Sequence, residues 1–250
     1  MTRIVSWNIR AGGGKRIELI AQQLSDWNAD VVGLCEFRGT PASMWLQSEL
    51  ESLGLRYQST TVNRTNAPLN RLLIASKWPI TPVNAPVIPK FSQLWLPVHI
   101  ESPEPFGFCM VHIPTYSFAG RGKYKFHDSI LRVARNWHNG PAIISGDTNT
   151  GRIGIDEQNP VFSKESDSWM VSMEKNNWSD AFRYIYKDQR AYTWYSPNAG
   201  NGFRLDQAFI NKDLLGRLVE IKYVWSKHPN TTRRDAVSDH AAILIDLLDA

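Results

Sequence analysis

A chain of 250 residues, 42% of them apolar, can bury a large core without disulfides or a structural metal. The net charge of +4 suits a polyanionic partner without naming one, and the two cysteines, Cys35 and Cys109, each sit in an apolar run and read as core thiols. No signal peptide and no apolar run of membrane-spanning length is evident, so the expected setting is the cytoplasm, with no membrane partner.

Residues 3–9 alternate, with Ile4 and Ser6 on one side and Val5 and Trp7 on the other, which predicts a strand ending at Asn8. Ala11-Gly12-Gly13-Gly14 is a flexible loop that lacks the Gly-Lys-Ser/Thr of a P-loop. Ile17, Ile20, Ala21, Leu24 and Trp27 fall at helical spacing. Residues 30–36 form a second strand, apolar on both faces and therefore central, ending on the carboxylate of Glu36. Thr40-Pro41 opens a helix whose inner face is Leu46, Leu50 and Leu53.

Short strands are expected near 55–62, 71–76, 93–101 and 106–112. Prolines at 79, 82, 86, 89, 97, 103 and 105 divide this stretch into antiparallel meanders and surface turns. A helix follows from about Lys123 to Trp137, with Phe126, Ile130, Ala134 and Trp137 inward. Then come a strand to Ser145, a loop over 151–170, a short helix near 168–176, and strands near 204–211, 219–225 and 241–247. No repeat or linker interrupts the chain, so residues 1–250 read as one domain, an α/β fold of two packed sheets with helices outside.

The polar residues at strand ends carry the chemistry. In Pro141 to Asn149 a short apolar run ends in Ser-Gly-Asp-Thr-Asn, where Gly146 permits a sharp turn and Asp147 and Asn149 follow. Alone, that stretch reads as a turn closed by its own side chains. Other strands end at Asn8, Glu36 and His112, one begins at Arg204-Leu205-Asp206, and Ser238-Asp239-His240 precedes the last. Singly, Asn8 can close a turn, His112 can be a satisfied core histidine and Asp239 can be an N-cap or turn residue. A fold that gathers all of them builds one polar pocket. Hard-cation hydrolysis fits that set. Magnesium takes oxygen ligands, Glu36 with Asn8 supplies a half-site, and Asp147, Asn149 and Asp239 can hold water or a second ion. His240 with Asp206 makes a histidine–carboxylate pair. Zinc is disfavoured, because there is no cysteine cluster and no His-Glu-x-x-His.

The order of these pieces carries a resemblance. Ser6-Trp7-Asn8-Ile9, Gly33-Leu34-Cys35-Glu36, Ile74-Ala75-Ser76-Lys77-Trp78-Pro79-Ile80, Val111-His112-Ile113-Pro114, Ser145-Gly146-Asp147-Thr148-Asn149, Tyr192-Thr193-Trp194, Arg204-Leu205-Asp206 and Ser238-Asp239-His240 span nearly the whole chain. Together they resemble the endonuclease/exonuclease/phosphatase superfamily of exonuclease III-type and DNase I-type nucleases, sphingomyelinases and inositol-polyphosphate phosphatases. The resemblance implies a four-layered αββα sandwich, DNase I-like, with two mostly antiparallel sheets. It implies Mg²⁺, with Mn²⁺ as the alternative, bound at Glu36 with Asn8 beside it and Asp239 as accessory ligand. Asp147 would orient or deprotonate water, or protonate the leaving oxygen. Asn149 would hold phosphate oxygens, and Asp206 would orient His240 onto the scissile phosphate. His112 stands where exonuclease III-like enzymes usually carry tyrosine and where DNase I and sphingomyelinases carry histidine. Arg38, two residues after Glu36, is similar to the DNase I arrangement. Thr148 and Gln207 depart from the usual apolar residues without removing a catalytic group.

The segment Arg121-Gly122-Lys123-Tyr124-Lys125 resembles the part of abasic endonucleases that reaches toward DNA, and reads equally as a solvated basic loop. Arg38, Arg121, Lys123, Lys125, Trp194 and Arg204 are the candidate substrate contacts; for Trp194, packing is the alternative. The leading expectation is a monomeric magnesium-dependent nuclease acting on DNA, by endo- or exonucleolytic cleavage. The alternative is a phosphatase or phosphodiesterase on an inositol, lipid or other small phosphate ester. A catalytically inactive nucleic-acid-binding module would need a lost site residue, and none is missing.

Overall fold

The computed structural model of the protein describes residues 1–83, 87–228 and 231–249. The first part of the chain runs β1 (Thr2–Asn8), α1 (Ile17–Trp27), β2 (Val31–Phe37), α2 (Pro41–Ser52), β3 (Tyr57–Thr60), β4 (Arg71–Ser76), β5 (Ile80–Pro82), β6 (Trp95–Ile100) and β7 (Phe106–His112). The second runs α3 (Tyr116–Ala119), α4 (Gly122–Arg135), β8 (Ala142–Asp147), α5 (Lys164–Lys175), β9 (Trp178–Asp180), α6 (Ala181–Tyr186), β10 (Trp194–Tyr195) and β11 (Gly202–Phe203). It closes with β12 (Asp206–Asn211), α7 (Lys212–Leu215), β13 (Leu218–Val224) and β14 (Ala242–Leu247).

Two six-stranded sheets form, in the orders β13-β14-β1-β2-β4-β3 and β5-β6-β7-β8-β12-β9. Each is antiparallel apart from a single parallel pair at its centre, β1–β2 in one and β7–β8 in the other. Parallel neighbours cannot be joined by a hairpin, and the chain crosses over through α1 in the first sheet and through α4 in the second. Both parallel pairs therefore end at the same kind of place, a carboxyl edge followed by a loop.

The alternation read in β1 is real. Ile4 joins the core between the sheets, while Val5 and Trp7 join the core under α1 and α2. A third core packs α4 and α5 on the outer face of the second sheet. These three apolar layers separate four structural layers, the expected αββα sandwich. Each fully buried Leu, Ile or Phe in them contributes roughly 1.5–3 kcal/mol. Cys35 and Cys109 are free thiols within the cores. No described helix is long and apolar enough to cross a membrane.

Several element boundaries differ from expectation. Helix α2 stops at Ser52, so Leu53 lies past its end and is 39% exposed rather than on its inner face. Helix α4 ends at Arg135, and Trp137 reaches the core from the following turn, its Nε1 donating to Gly140 O at 2.9 Å. The stretch 151–170 is loop only to Ser163, whose Oγ accepts from Ser166 N at 3.2 Å and starts α5 earlier than the apolar spacing suggests. Strand β12 begins at Asp206 rather than Arg204. Pro86 lies outside the described residues.

Candidate active site

The carboxyl edges of the two parallel pairs face each other, and the site is built across them. His112 is in register with Asp147 on β8, and Asp147 is in register with Asp206 on β12. Residues in register on neighbouring strands project to the same face, so three predicted residues stand side by side. From the other sheet, Asn8 ends β1 beside Cys35, one residue before Glu36. A bulge in β2 between Cys35 and Phe37 coincides with a left-handed φ of 58° at Glu36, an unusual conformation of the kind that gathers at functional sites. The turn before β14 is tied to β1: Trp7 Nε1 donates to His240 O at 3.0 Å and Ser238 Oγ donates to Asn8 O at 2.6 Å.

Asp147 is the hub. Its Oδ1 accepts from the backbone N of Asn149 at 2.9 Å, and its Oδ2 accepts from Asn8 Nδ2 at 3.0 Å. The same Oδ2 lies 3.6 Å from His112 Nε2 and 3.9 Å from His240 Nε2. The far nitrogen of His240, Nδ1, is 2.9 Å from Asp206 Oδ2. Thr193 Oγ1 accepts from the backbone N of Leu205 at 2.9 Å and of Asp206 at 3.1 Å, fixing the start of β12. Gly146 makes the close approach possible: at φ 144°, a Cβ there would collide with the carbonyl oxygen of Val111.

Burial raises the Asp147 carboxyl above its ordinary range, opposed chiefly by His240. Burial also works against charge on His240, but Asp206 and then Asp147 outweigh it and lift its pKa to about 10. His240 is therefore an imidazolium at neutral pH, with Nδ1–H on Asp206 and Nε2–H facing Asp147. For Glu36 burial is again the opposing effect; His112 and the Ala11 amide, whose N donates to Oε2 at 2.7 Å, hold it below the ordinary range as an anion.

Glu36 and Asp239 offer the carboxylate oxygens that hard cations take as ligands. Asp239 Oδ1 is buried without a hydrogen-bond partner among the described residues. Ligand atoms of Asp147, Asp206 and His240 also lie within 4.8 Å of one another. A cation there would compete with the protons of His240, whereas Asp239 Oδ1 has no hydrogen-bond partner among the described residues. Asn8 sits between the two carboxylates. Its Nδ2 bridges Asp147 and, at 3.3 Å, Glu36 Oε1, while its Oδ1 accepts from Arg10 N at 3.0 Å. As it stands, Asn8 is a donor that couples two carboxylates.

The outer residues divide. Arg38 donates from Nε to Asn70 Oδ1 at 2.7 Å and lines a cavity of about 370 Å³ that also holds Glu36 and His112. The Trp194 ring is 6.3 Å from that of His240. Arg121 and Lys125 are exposed. Two expected contacts are not at the surface. Arg204 is fully buried, with Nε 2.7 Å from Asp156 Oδ1 and Nη2 2.5 Å from Asp180 Oδ2, so its guanidinium is spent on structure. Lys123 is also buried and donates to Asn149 O at 2.5 Å. The roles of Thr193 and Ser238 leave no mark in the sequence, since hydroxyls that bond backbone have no spacing signature.

The profile of the Endonuclease/Exonuclease/phosphatase family matches residues 5–240. The chain belongs to this family. As an endonuclease/exonuclease/phosphatase enzyme it hydrolyses phosphoester bonds. Its fold is similar to a 3′ phosphatase from Neisseria, NExo, bound to product DNA hairpin, with TM-score 0.80, 16% identity and 100% of each chain covered. It is similar to an AP endonuclease from Archaeoglobus fulgidus, with TM-score 0.80, 17% identity and 99% of each chain covered. A 3′-5′ exonuclease from Neisseria meningitidis gives TM-score 0.77 at 16% identity, covering 98% of this chain and 99% of that one. At such identities the likeness is one of fold. No curated protein matches the chain.

Proposed function

We propose that this family member is a divalent-metal-dependent nuclease that hydrolyses DNA phosphodiesters, with Mg²⁺ as its ion. The observation that carries the reading is the convergence of His112 Nε2 and His240 Nε2 on one oxygen of Asp147, 3.6 and 3.9 Å away. The exposed cations Arg121 and Lys125, carried on the segment that follows the His112 strand, suit a polyanion. The DNA-acting structures of the same fold favour DNA over a small ester.

A divalent cation at Glu36 and Asp239 would neutralise charge building on a phosphoryl oxygen. Asp147 orients the attacking water and takes its proton, a task that its raised pKa favours. His240 donates from Nε2 to a non-bridging oxygen, and Asp206 holds its ring and its charge. One amide hydrogen of Asn149 is used on Ile113 O at 2.9 Å, which leaves the second for a phosphate oxygen.

The test is turnover of plasmid, single-stranded DNA, abasic duplex, 3′-phosphorylated duplex, RNA, sphingomyelin and inositol phosphates, with Mg²⁺ and with EDTA. Cleavage of DNA with Mg²⁺ and none with EDTA is expected. Turnover of lipid or inositol substrates alone would overturn the reading.

A further inference from the structure

Lys123 is a buried lysine that the hydrolytic chemistry above leaves without a task. It is the second residue of α4 and only 6% exposed. Lysine is rarely buried so far without a partner charge. No carboxylate forms an ion pair with Lys123 among the described residues, and the one hydrogen bond of its side chain there is from Nζ to Asn149 O at 2.5 Å. Asn149 has a left-handed φ of 48°. Asn149 is thus gripped from three elements: its carbonyl accepts from Lys123 on α4, its backbone N–H donates to Asp147 Oδ1 on β8 at 2.9 Å, and its side-chain amide donates to Ile113 O after β7 at 2.9 Å.

We propose that Lys123 is a positioning residue for hydrolysis: by anchoring the Asn149 carbonyl it fixes the backbone of Asn149, whose N–H holds Asp147 Oδ1, and so fixes the orientation of the carboxylate that acts on water. An apolar side chain would fill the same space and spare the chain a buried ammonium. What the ammonium adds is a fixed peptide one step from the hub of the site. Its charge also lies close enough to Asp147 to feel it: burial lowers the Lys123 pKa to about 8, and Asp147 opposes the fall. Freed of this anchor, the turn relaxes toward the right-handed backbone that a non-glycine residue prefers, and the N–H swings off Asp147. Lys123 therefore acts through Asn149 and does not touch substrate.

This inference rests on Asp147 acting on water, and its test has one arm that needs no substrate. Native-state amide exchange in Lys123→Met should show the Asn149 N–H exchanging at least tenfold faster than in the parent, with Ile144 on β8 unchanged. In the second arm kcat on a DNA substrate should fall tenfold or more while KM stays within threefold. Propylamine added to Lys123→Ala should restore turnover, and 1-propanol should not. Unchanged Asn149 exchange would overturn the proposal. So would a rise in KM at constant kcat, which marks a substrate contact, or equal rescue by propanol, which marks packing. If the parent protein is inert on DNA, the nuclease reading fails while the exchange arm still decides the role of Lys123.

Discussion

His240 Nδ1 lies 2.9 Å from Asp206 Oδ2, and this contact keeps a buried imidazole charged to about pH 10. The two residues come from different strands, Asp206 opening β12 and His240 just ahead of β14. Their alignment depends on Thr193, whose hydroxyl holds the amide of Asp206 and whose carbonyl accepts from Ala241 N at 2.9 Å.

Asp206→Asn should return the His240 pKa toward 6.5 and cut the rate by about 10²–10⁴, since the ring loses its charge and its orientation. An NMR titration of His240 with EDTA present checks the first part. The sign for stability follows from the raised folded-state pKa. The stabilisation is fully present below about pH 6.5 and is lost as pH rises through about 10. Asp147, also raised, adds a decline in the same direction at lower pH. Urea melts between pH 6 and 10 should show a falling stability in the parent and a flatter profile in Asp206→Asn.

Gly146→Ala should destabilise by about 3 kcal/mol or more, because φ 144° excludes a side chain and the new Cβ meets the Val111 carbonyl. Chemical denaturation checks this. A stability within 0.5 kcal/mol of the parent, about the range of neutral surface changes, would mean that the β7–β8 contact is looser than described.

Arg204→Met should cost about 3–5 kcal/mol, since it leaves Asp180 buried without a partner cation and Asp156 with Arg183 alone. Replacing both carboxylates with asparagine in the same chain should recover part of the loss. The measurement is equilibrium unfolding of the single and triple variants. An exposed substrate-binding arginine would instead leave stability unchanged.

These buried cations mark where reading the sequence stops. The strand ends were legible because strand period and motif order are local: His112, Asp147, Asp206 and His240 stand together, and Glu36 joins them through Asn8. The burial of Arg204 and Lys123 was not, because a lone Arg or Lys is almost always solvated. What draws them inward are Asp156, Asp180 and one carbonyl, all distant in sequence. Asn8 was found but its orientation was not, since an amide offers a donor and an acceptor on equal terms. The first turn of α5, Lys-Glu-Ser-Asp, has no apolar face, so apolar spacing misses it; its signal is the Ser163 cap.

Glu36→Gln should raise the Mg²⁺ concentration for half-maximal activity by about tenfold or more, because it removes the anionic oxygen donor and leaves Asp239 alone. Calorimetric titration with Mg²⁺ provides the same comparison without substrate. Equal affinity in the two proteins would move the cation to the Asp147, Asp206 and His240 group.

The most direct test of the central claim is the single-turnover cleavage rate of a DNA duplex, with Mg²⁺, by the parent, Asp147→Ala and His240→Ala, each confirmed folded by circular dichroism. The account predicts cleavage by the parent and a loss of about a thousandfold or more in each variant. Parent-like rates in the folded variants would contradict it.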